Sequence, residues 1–262
     1  MESKGQSARN KGKKLKRKEV LEKKKAVDEL VRAASSETDH LVSFQAFRHY
    51  NRNGVSVYLD WGRGDRLSSS VKQYVYNLLK ANMEGPFGAE WPAEEKVKRR
   101  EMVASEARYI FVHDVANASA DGMPSVVEAK KEVTDSMLEI VSIVGFVHFR
   151  FLVEEEIPVL YVYEIQLEPH VQGKGLGKFL MQLIELIARK NRMGAVVLTV
   201  QKTNLSAMKF YTSKLRYIVS SISPSRVNPL LGSEASYEIL CKAFEPEAKA
   251  VLEVIEATDN DC

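Results

Sequence analysis

Only two cysteines, Cys241 and Cys262, occur in the 262 residues, both late in the chain. That is too few, and too far along, for a disulfide framework or a zinc site. The five histidines are scattered without ligand spacing, so no structural metal is expected. No run of about 18 apolar residues appears, which excludes a membrane-spanning helix. The first residues are polar and basic, which does not fit a secretory signal. No internal repeat is visible. The expectation from these absences is a soluble protein that stays inside the cell.

What is present is enough apolar material for a core, 45% of residues, and a length that suits one domain with frayed ends. The net charge of +3 hides an asymmetry. Residues 1–25 hold eleven Lys or Arg against three Glu, a net of +8; of 38 basic and 35 acidic residues in all, the rest of the chain keeps 27 and 32, a net of −5. A mildly acidic body favours a basic partner as its ligand. The arm "KGKKLKRKEVLEKKKAVDELVRAA" becomes apolar at helical spacing through Val20, Leu21, Val27, Leu30 and Val31. It predicts a helix over 15–34 that docks by its later half. The basic run itself reads equally as a solvated tail or as a patch for nuclear import, ribosome or nucleic-acid contact.

Further along, "VSVYLD" (55–60) alternates like a strand bounded by Asn53-Gly54. Residues 67–82 and 92–106 read as helices, with "MEGPFGAEW" a loop between them. Strands are predicted at 107–113, 139–153, 157–167, 195–200, 216–222 and 236–244, and helices at 175–191 and from Asn204. The small, polar stretch 114–139 reads as a flexible insertion, and the acidic tail beyond Pro246 as loose. This divides the chain into a basic arm (1–40), a main domain (41–244) and a tail (245–262). The class is α+β, a mixed α/β fold with about seven strands and one strand-helix-strand crossover.

That crossover begins with Gln172-Gly173-Lys174-Gly175-Leu176-Gly177, which follows a strand and opens a helix. There the backbone N–H groups lack partners and the helix dipole favours an anion, while glycine lets a phosphate approach closely. The spacing fits neither of two common phosphate loops. A Walker loop needs Gly-Lys-Ser/Thr, but Gly177-Lys178 is followed by Phe179, and a dinucleotide fingerprint needs Gly-x-Gly-x-x-Gly.

It does match Gln/Arg-x-x-Gly-x-Gly/Ala, the signature of the GNAT acetyltransferase superfamily. A second signature of that superfamily is matched by Asn204, Ala207, Phe210, Tyr211 and Tyr217, with Leu215 where glycine is commoner. Within the superfamily, "VLYVYEIQLEPHVQGKGLGKFL", "LTVQKTN", "SYEIL", "YNRNG" (50–54), Asn82 to Trp91, "FRF" (149–151) and "SPS" (223–225) resemble the NatD family of histone-directed N-alpha-acetyltransferases. The basic N-terminal segment is also a feature of that family.

The resemblance implies a mostly antiparallel twisted sheet splayed at an acetyl-CoA site, and transfer of acetyl to the free α-amine of histone tails that start Ser-Gly-Arg-Gly. It implies that Ile165, Gln166 and Leu167 flank the acetyl and pantetheine arm. Gln172, Gly173, Lys174, Gly175, Leu176, Gly177 and Lys178 would hold the pyrophosphate, and Asn204 the pantetheine. Glu164 is the candidate base, since an α-amine of pKa about 7.7–8 must lose a proton during attack. Tyr163 joins it, and Tyr211 is the candidate acid. Strand alternation puts Tyr161, Tyr163 and Ile165 opposite Val162, Glu164 and Gln166, and a bulge would alter that phase.

Phe87, Trp91, Glu154, Tyr161, Tyr163, Thr199 and Tyr237 fall on substrate-reading positions of the family. Two departures stand out: Leu152 replaces an aspartate and Phe87 lies near an expected tyrosine, with Glu155 or Glu156 available to supply the missing carboxylate. The implied enzyme is a monomer of cytoplasm and nucleus that needs no metal. Two other readings stay open. One is an acetyltransferase for another N-terminus, a lysine side chain or a small amine; the other is a non-catalytic chromatin-binding module.

Overall fold

The structure, a computed structural model, describes residues 3–115, 143–232 and 234–253. The expected insertion at 114–139, beyond its first two residues, and the end of the tail lie outside them. Eight strands form one sheet: β1 (His49–Arg52), β2 (Val55–Arg63), β3 (Arg108–Asp114), β4 (Ile143–Glu154), β5 (Ile157–Leu167), β6 (Ala195–Gln201), β7 (Ile218–Val219) and β8 (Tyr237–Ala243). Their order is β1-β2-β3-β4-β5-β6-β8-β7. Every pair is antiparallel except β5 with β6, which the predicted crossover joins.

Sequence reading missed β1 because "HYNR" is short and polar, with only Tyr50 buried. Its hairpin partner announces itself through Asn53 and Gly54, at φ 54° and 71°, the left-handed pair that a two-residue hairpin turn requires. The expected strand at 216–222 shrinks to two residues. Arg216 sits at φ 61°, and Ser220 leaves the ladder for an isolated bridge to Glu253.

Helices cover both faces. On one face α4 (Leu176–Lys190) lays Leu176, Leu180, Leu183, Ile184 and Ile187 into the main core, all fully buried. Each such side chain contributes about 1.5–3 kcal/mol by leaving water. α1 (Ser3–Ser36) adds Leu30, Val31 and Ala34 to the same core, so it docks by its later half, while Val20 and Leu21 stay exposed. On the other face α2 (Ser69–Phe87) and α3 (Trp91–Glu101) cover Tyr109, Phe111 and Phe146.

Two expectations are corrected here. The stretch 83–91 is helical rather than a loop: α2 runs through Pro86, stops at Gly88 (φ 53°), and a single 3-10 turn, Gly88–Glu90, leads straight into α3. Proline cannot donate the i→i−4 bond, and α2 ends one residue after it. The tail is not loose at its start. Pro246–Leu252 forms a helix whose Ala248 and Leu252, one turn apart, pack beside Ile157, Val159 and Cys241, and Lys23 of α1 pairs with Glu247.

Candidate active site

The glycine loop is held from outside and open from inside. Tyr50 Oη (2.6 Å) and Asn53 Nδ2 (2.8 Å) both donate to the Lys174 carbonyl, so the β1–β2 hairpin anchors the loop. Gln172 Nε2 donates to the carbonyl of Leu167 at 2.8 Å, closing the turn onto the end of β5. Gly173 and Gly175 take φ 72° and 91°. A Cβ on Gly175 would meet Tyr50 Oη at 2.8 Å, whereas one on Gly173 would point into open space. The first bond of α4 runs from Phe179 N–H to Gly175 O. The N–H groups of Leu176, Gly177 and Lys178 therefore lack intrahelical acceptors and face the loop with the dipole's positive end. The cradle fits a diphosphate.

Beyond the loop the sheet splits. β5 and β6 pair only from Val159–Ala195 to Val162–Leu198, after which both strands run on without each other. The gap opens into a cleft of ≈ 820 Å³. Its walls include Glu164, Ile165, Gln166, Leu167, Gln172, Gly173, Gly175, Gly177, Lys178, Asn204 and Tyr211. Leu176 offers its backbone alone, because its side chain lies in the core, and the Lys174 carbonyl is turned to the hairpin. Asn204 caps α5 (Leu205–Lys209), its Oδ1 accepting from Ala207 N–H at 3.1 Å. Tyr211 sits in a wide π-turn, Phe210–Lys214, that follows α5. Burial, and then the nearby Glu164 carboxylate, push its phenol above the ordinary range. It stays protonated and able to donate.

The phase expected for β5 is corrected by a bulge. Residue His148 pairs with Glu164, but its neighbour Phe149 pairs with Val162, which leaves Tyr163 as an extra residue. Leu160, Val162, Ile165 and Leu167 consequently pack toward the α4 core. Tyr161 and Tyr163, with ring centroids 5.3 Å apart, share the opposite face with Glu164. The bulge is what brings the tyrosines and the carboxylate together.

Glu164 is 8% exposed, and each of its oxygens has one neighbour. Lys98 Nζ of α3 lies 2.9 Å from its Oε1, and Gln166 Nε2 donates to its Oε2 at 2.9 Å. Asn82 of α2 donates to Gln166 Oε1 at 2.9 Å. Burial works against the Lys98 charge, but the Glu164 and Glu101 carboxylates outweigh it and hold its pKa above the ordinary lysine value. Tyr163 is sandwiched: His148 stacks on its ring at 4.9 Å, and the Arg150 guanidinium carbon lies 4.4 Å from its centroid. Burial, then the charges of Arg150 and Lys98, keep His148 well below its usual pKa, so it is neutral.

Of the residues expected to read substrate, Phe87, Tyr163 and Thr199 line the cleft. Tyr161 is tied to Thr199 by a short hydroxyl-hydroxyl bond, and burial pushes its phenol up to about 12. Trp91 is buried behind Phe87 at 5.8 Å between centroids. Tyr237 pairs with Gln201 at the end of β6. Glu154 lies at the far end of β4, its carboxyl raised by burial and by Glu155. Glu155 and Glu156 form the exposed β4–β5 turn at φ 47° and 64°, and Leu152 packs toward the β5–β6–β8 core. Sequence reading missed Lys98 and His148, and used Asn82 and Arg150 only as points of likeness. Lys98 hides in "AEEKVKRRE", which reads as a solvated face; only its register on α3 distinguishes it.

A phosphate-type cradle at a helix start, a parallel pair that splits beside it, and a buried carboxylate and phenol in the gap define a group-transfer enzyme that accepts a diphosphate-bearing cosubstrate. The sequence profile of the acetyltransferase (GNAT) family matches residues 74–216, more than half of the chain, and the chain belongs to that family. It is an acyltransferase. Among solved structures it is similar to the PaiA N-acetyltransferase of Thermoplasma acidophilum in complex with coenzyme A, at 17% identity over 71% of this chain and 99% of that one, TM-score 0.43. It is also similar to Arabidopsis thaliana Naa50 in complex with the bisubstrate analogue CoA-Ac-MVNAL, at 18% identity over 72% and 100%, TM-score 0.43. A third is the NatC complex bound to Gag peptide and CoA, at 12% identity over 71% and 99%, TM-score 0.42.

Proposed function

We propose that this enzyme acetylates the free α-amine of histone tails that start Ser-Gly-Arg-Gly, with acetyl-CoA as donor. The observation that carries the α-amine reading is the Tyr163 bulge, which sets Glu164 beside two tyrosines in the gap where β5 leaves β6. Acetyl-CoA supplies the acyl group as a thioester. The loop 172–178 would hold its pyrophosphate, Ile165 to Leu167 would flank its acetyl and pantetheine arm, and Asn204 would bond the pantetheine; Ile165 to Leu167 and Asn204 all line the cleft. Glu164 takes the proton from the incoming amine, directly or through a water, as the nitrogen bonds to the acetyl carbon; the carbon–sulfur bond breaks, and the protonated Tyr211 donates to the departing thiolate.

For the peptide, Tyr161, Tyr163 and Phe87 close over a small first residue, while Glu154 and the acidic body of the chain attract the arginine. Tyr237, Thr199 and Trp91 complete that pocket's surroundings. The basic arm serves chromatin or ribosome contact, and the enzyme works as a monomer in cytoplasm and nucleus. The test is initial-rate acetylation of a Ser-Gly-Arg-Gly peptide against the same peptide with Arg replaced by Ala. A marked loss of kcat/KM is expected; equal rates would remove the histone assignment and leave an acetyltransferase for some other N-terminus.

A further inference from the structure

α3 carries four basic residues in one run, and three of them behave as the sequence suggests. Lys96, Arg99 and Arg100 are exposed, with Arg99 paired to Glu95 and stacked on Tyr76. Lys98 alone turns inward, its side chain 15% exposed, and lines the cleft. An ammonium taken from water is costly unless paired, and Lys98 is paired twice, 2.9 Å from Glu164 and 3.1 Å from Glu101.

We infer that Lys98 is a positioning residue for the reaction: with Gln166 and Asn82 it holds the Glu164 carboxylate in one orientation and sets a positive charge against it. The inference rests on the reading of Glu164 as base. The network spans three elements, from Asn82 on α2 through Gln166 and Glu164 on β5 to Lys98 and Glu101 on α3. It leaves the carboxylate usable. A carboxylate offers about four lone-pair sites, and Lys98 and Gln166 occupy one on each oxygen, so each oxygen can still accept from an amine or a water.

Other charged or titratable groups face the same carboxylate. His148 and Arg150 come from β4, Tyr109 from β3, Tyr163 from β5 itself, and Tyr211 from the π-turn. The phenols are held above their ordinary range, and His148 is held neutral beside Arg150 and Lys98. Arg150 spends its charge over the Tyr163 ring and on the Glu101 carbonyl at 2.7 Å. Among the described residues, Lys98 is thus the cation in direct contact with Glu164.

The test compares wild type, Lys98→Met, Lys98→Arg and Glu164→Gln by two readouts. The first is an NMR titration of 13C-labelled glutamate carboxyl carbons, with the Glu164 signal assigned by its loss in Glu164→Gln. Losing an opposite charge at this distance should raise its midpoint by about one to three pH units in Lys98→Met, and leave it in place in Lys98→Arg. The second is kcat/KM against pH with the Ser-Gly-Arg-Gly peptide. Below the bend due to the peptide amine, a second bend should move upward in Lys98→Met and vanish in Glu164→Gln.

An unchanged titration midpoint in Lys98→Met overturns the inference, because a merely structural pair would cost stability without moving it. A moved midpoint with an unaltered rate profile in Glu164→Gln instead overturns the reading of Glu164 as base. Both quantities are positions on a pH axis and do not depend on how much protein is active. Lys98→Gln can therefore be read the same way should the methionine variant fold poorly.

Discussion

The two ends of the cleft are built on opposite plans. The glycine loop is backbone: its useful groups are N–H donors at the start of α4, its shape is held by Tyr50, Asn53 and Gln172, and its charge comes from a dipole. The Glu164 end is side chain. Its carboxylate, ammonium and amides converge from α2, α3 and β5, and their positions depend on tertiary packing and on one bulge. The backbone site supplies donors for a phosphate, and the side-chain network fixes one carboxylate. Cofactor affinity and chemistry should therefore be separable by mutation.

The largest effect is expected at the side-chain end. Glu164→Gln should lower kcat/KM by about 10²–10⁴, the usual contribution of a positioned base, with the Kd for acetyl-CoA from calorimetry nearly unchanged. A matching loss of acetyl-CoA affinity would erase the separation. The support beneath the loop comes next. Leu180→Ala removes a fully buried side chain of α4 and should cost about 2–5 kcal/mol in urea unfolding, with kcat per folded molecule retained.

At the backbone end, Gly175→Ala forces an alanine to φ 91° against Tyr50 Oη. Relief requires the loop to move. Acetyl-CoA affinity should fall about tenfold, equivalent to about 1.4 kcal/mol, with the pH profile unaltered. A changed profile would mean the two ends are coupled.

The smallest effect concerns Tyr161, whose phenol is pushed from 10.0 to about 12 by burial. A raised folded-state pKa gives stability that is present below pH 10 and is lost as pH rises toward about 12. Urea unfolding should show wild type losing stability across that window and Tyr161→Phe losing less. Parallel curves would remove the assigned burial effect.

The contrast also explains what could be read in the sequence. The loop was legible because backbone sites are written locally: Gln172, Gly175 and Gly177 sit in six consecutive residues, and Asn204 to Tyr217 follow on the next elements. Helices α2 to α4 and most of the sheet were legible from periodicity for the same reason. Lys98 and Glu164 lie 66 positions apart, and nothing local marks their meeting. The bulge at Tyr163 was foreseeable only as an option, since strand alternation carries no sign of an extra residue. The tail helix was hidden by its acidic composition, although Ala248 and Leu252 held the helical spacing that decided it.

The central claim is that this cleft acetylates an α-amine. The direct measurement offers the enzyme acetyl-CoA with a Ser-Gly-Arg-Gly peptide that also carries an internal lysine, beside the same peptide blocked at its N-terminus, and locates the acetyl group by tandem mass spectrometry. The account predicts acetyl on the N-terminal serine of the free peptide and none on the blocked one. Equal incorporation into both, on the lysine, would contradict it.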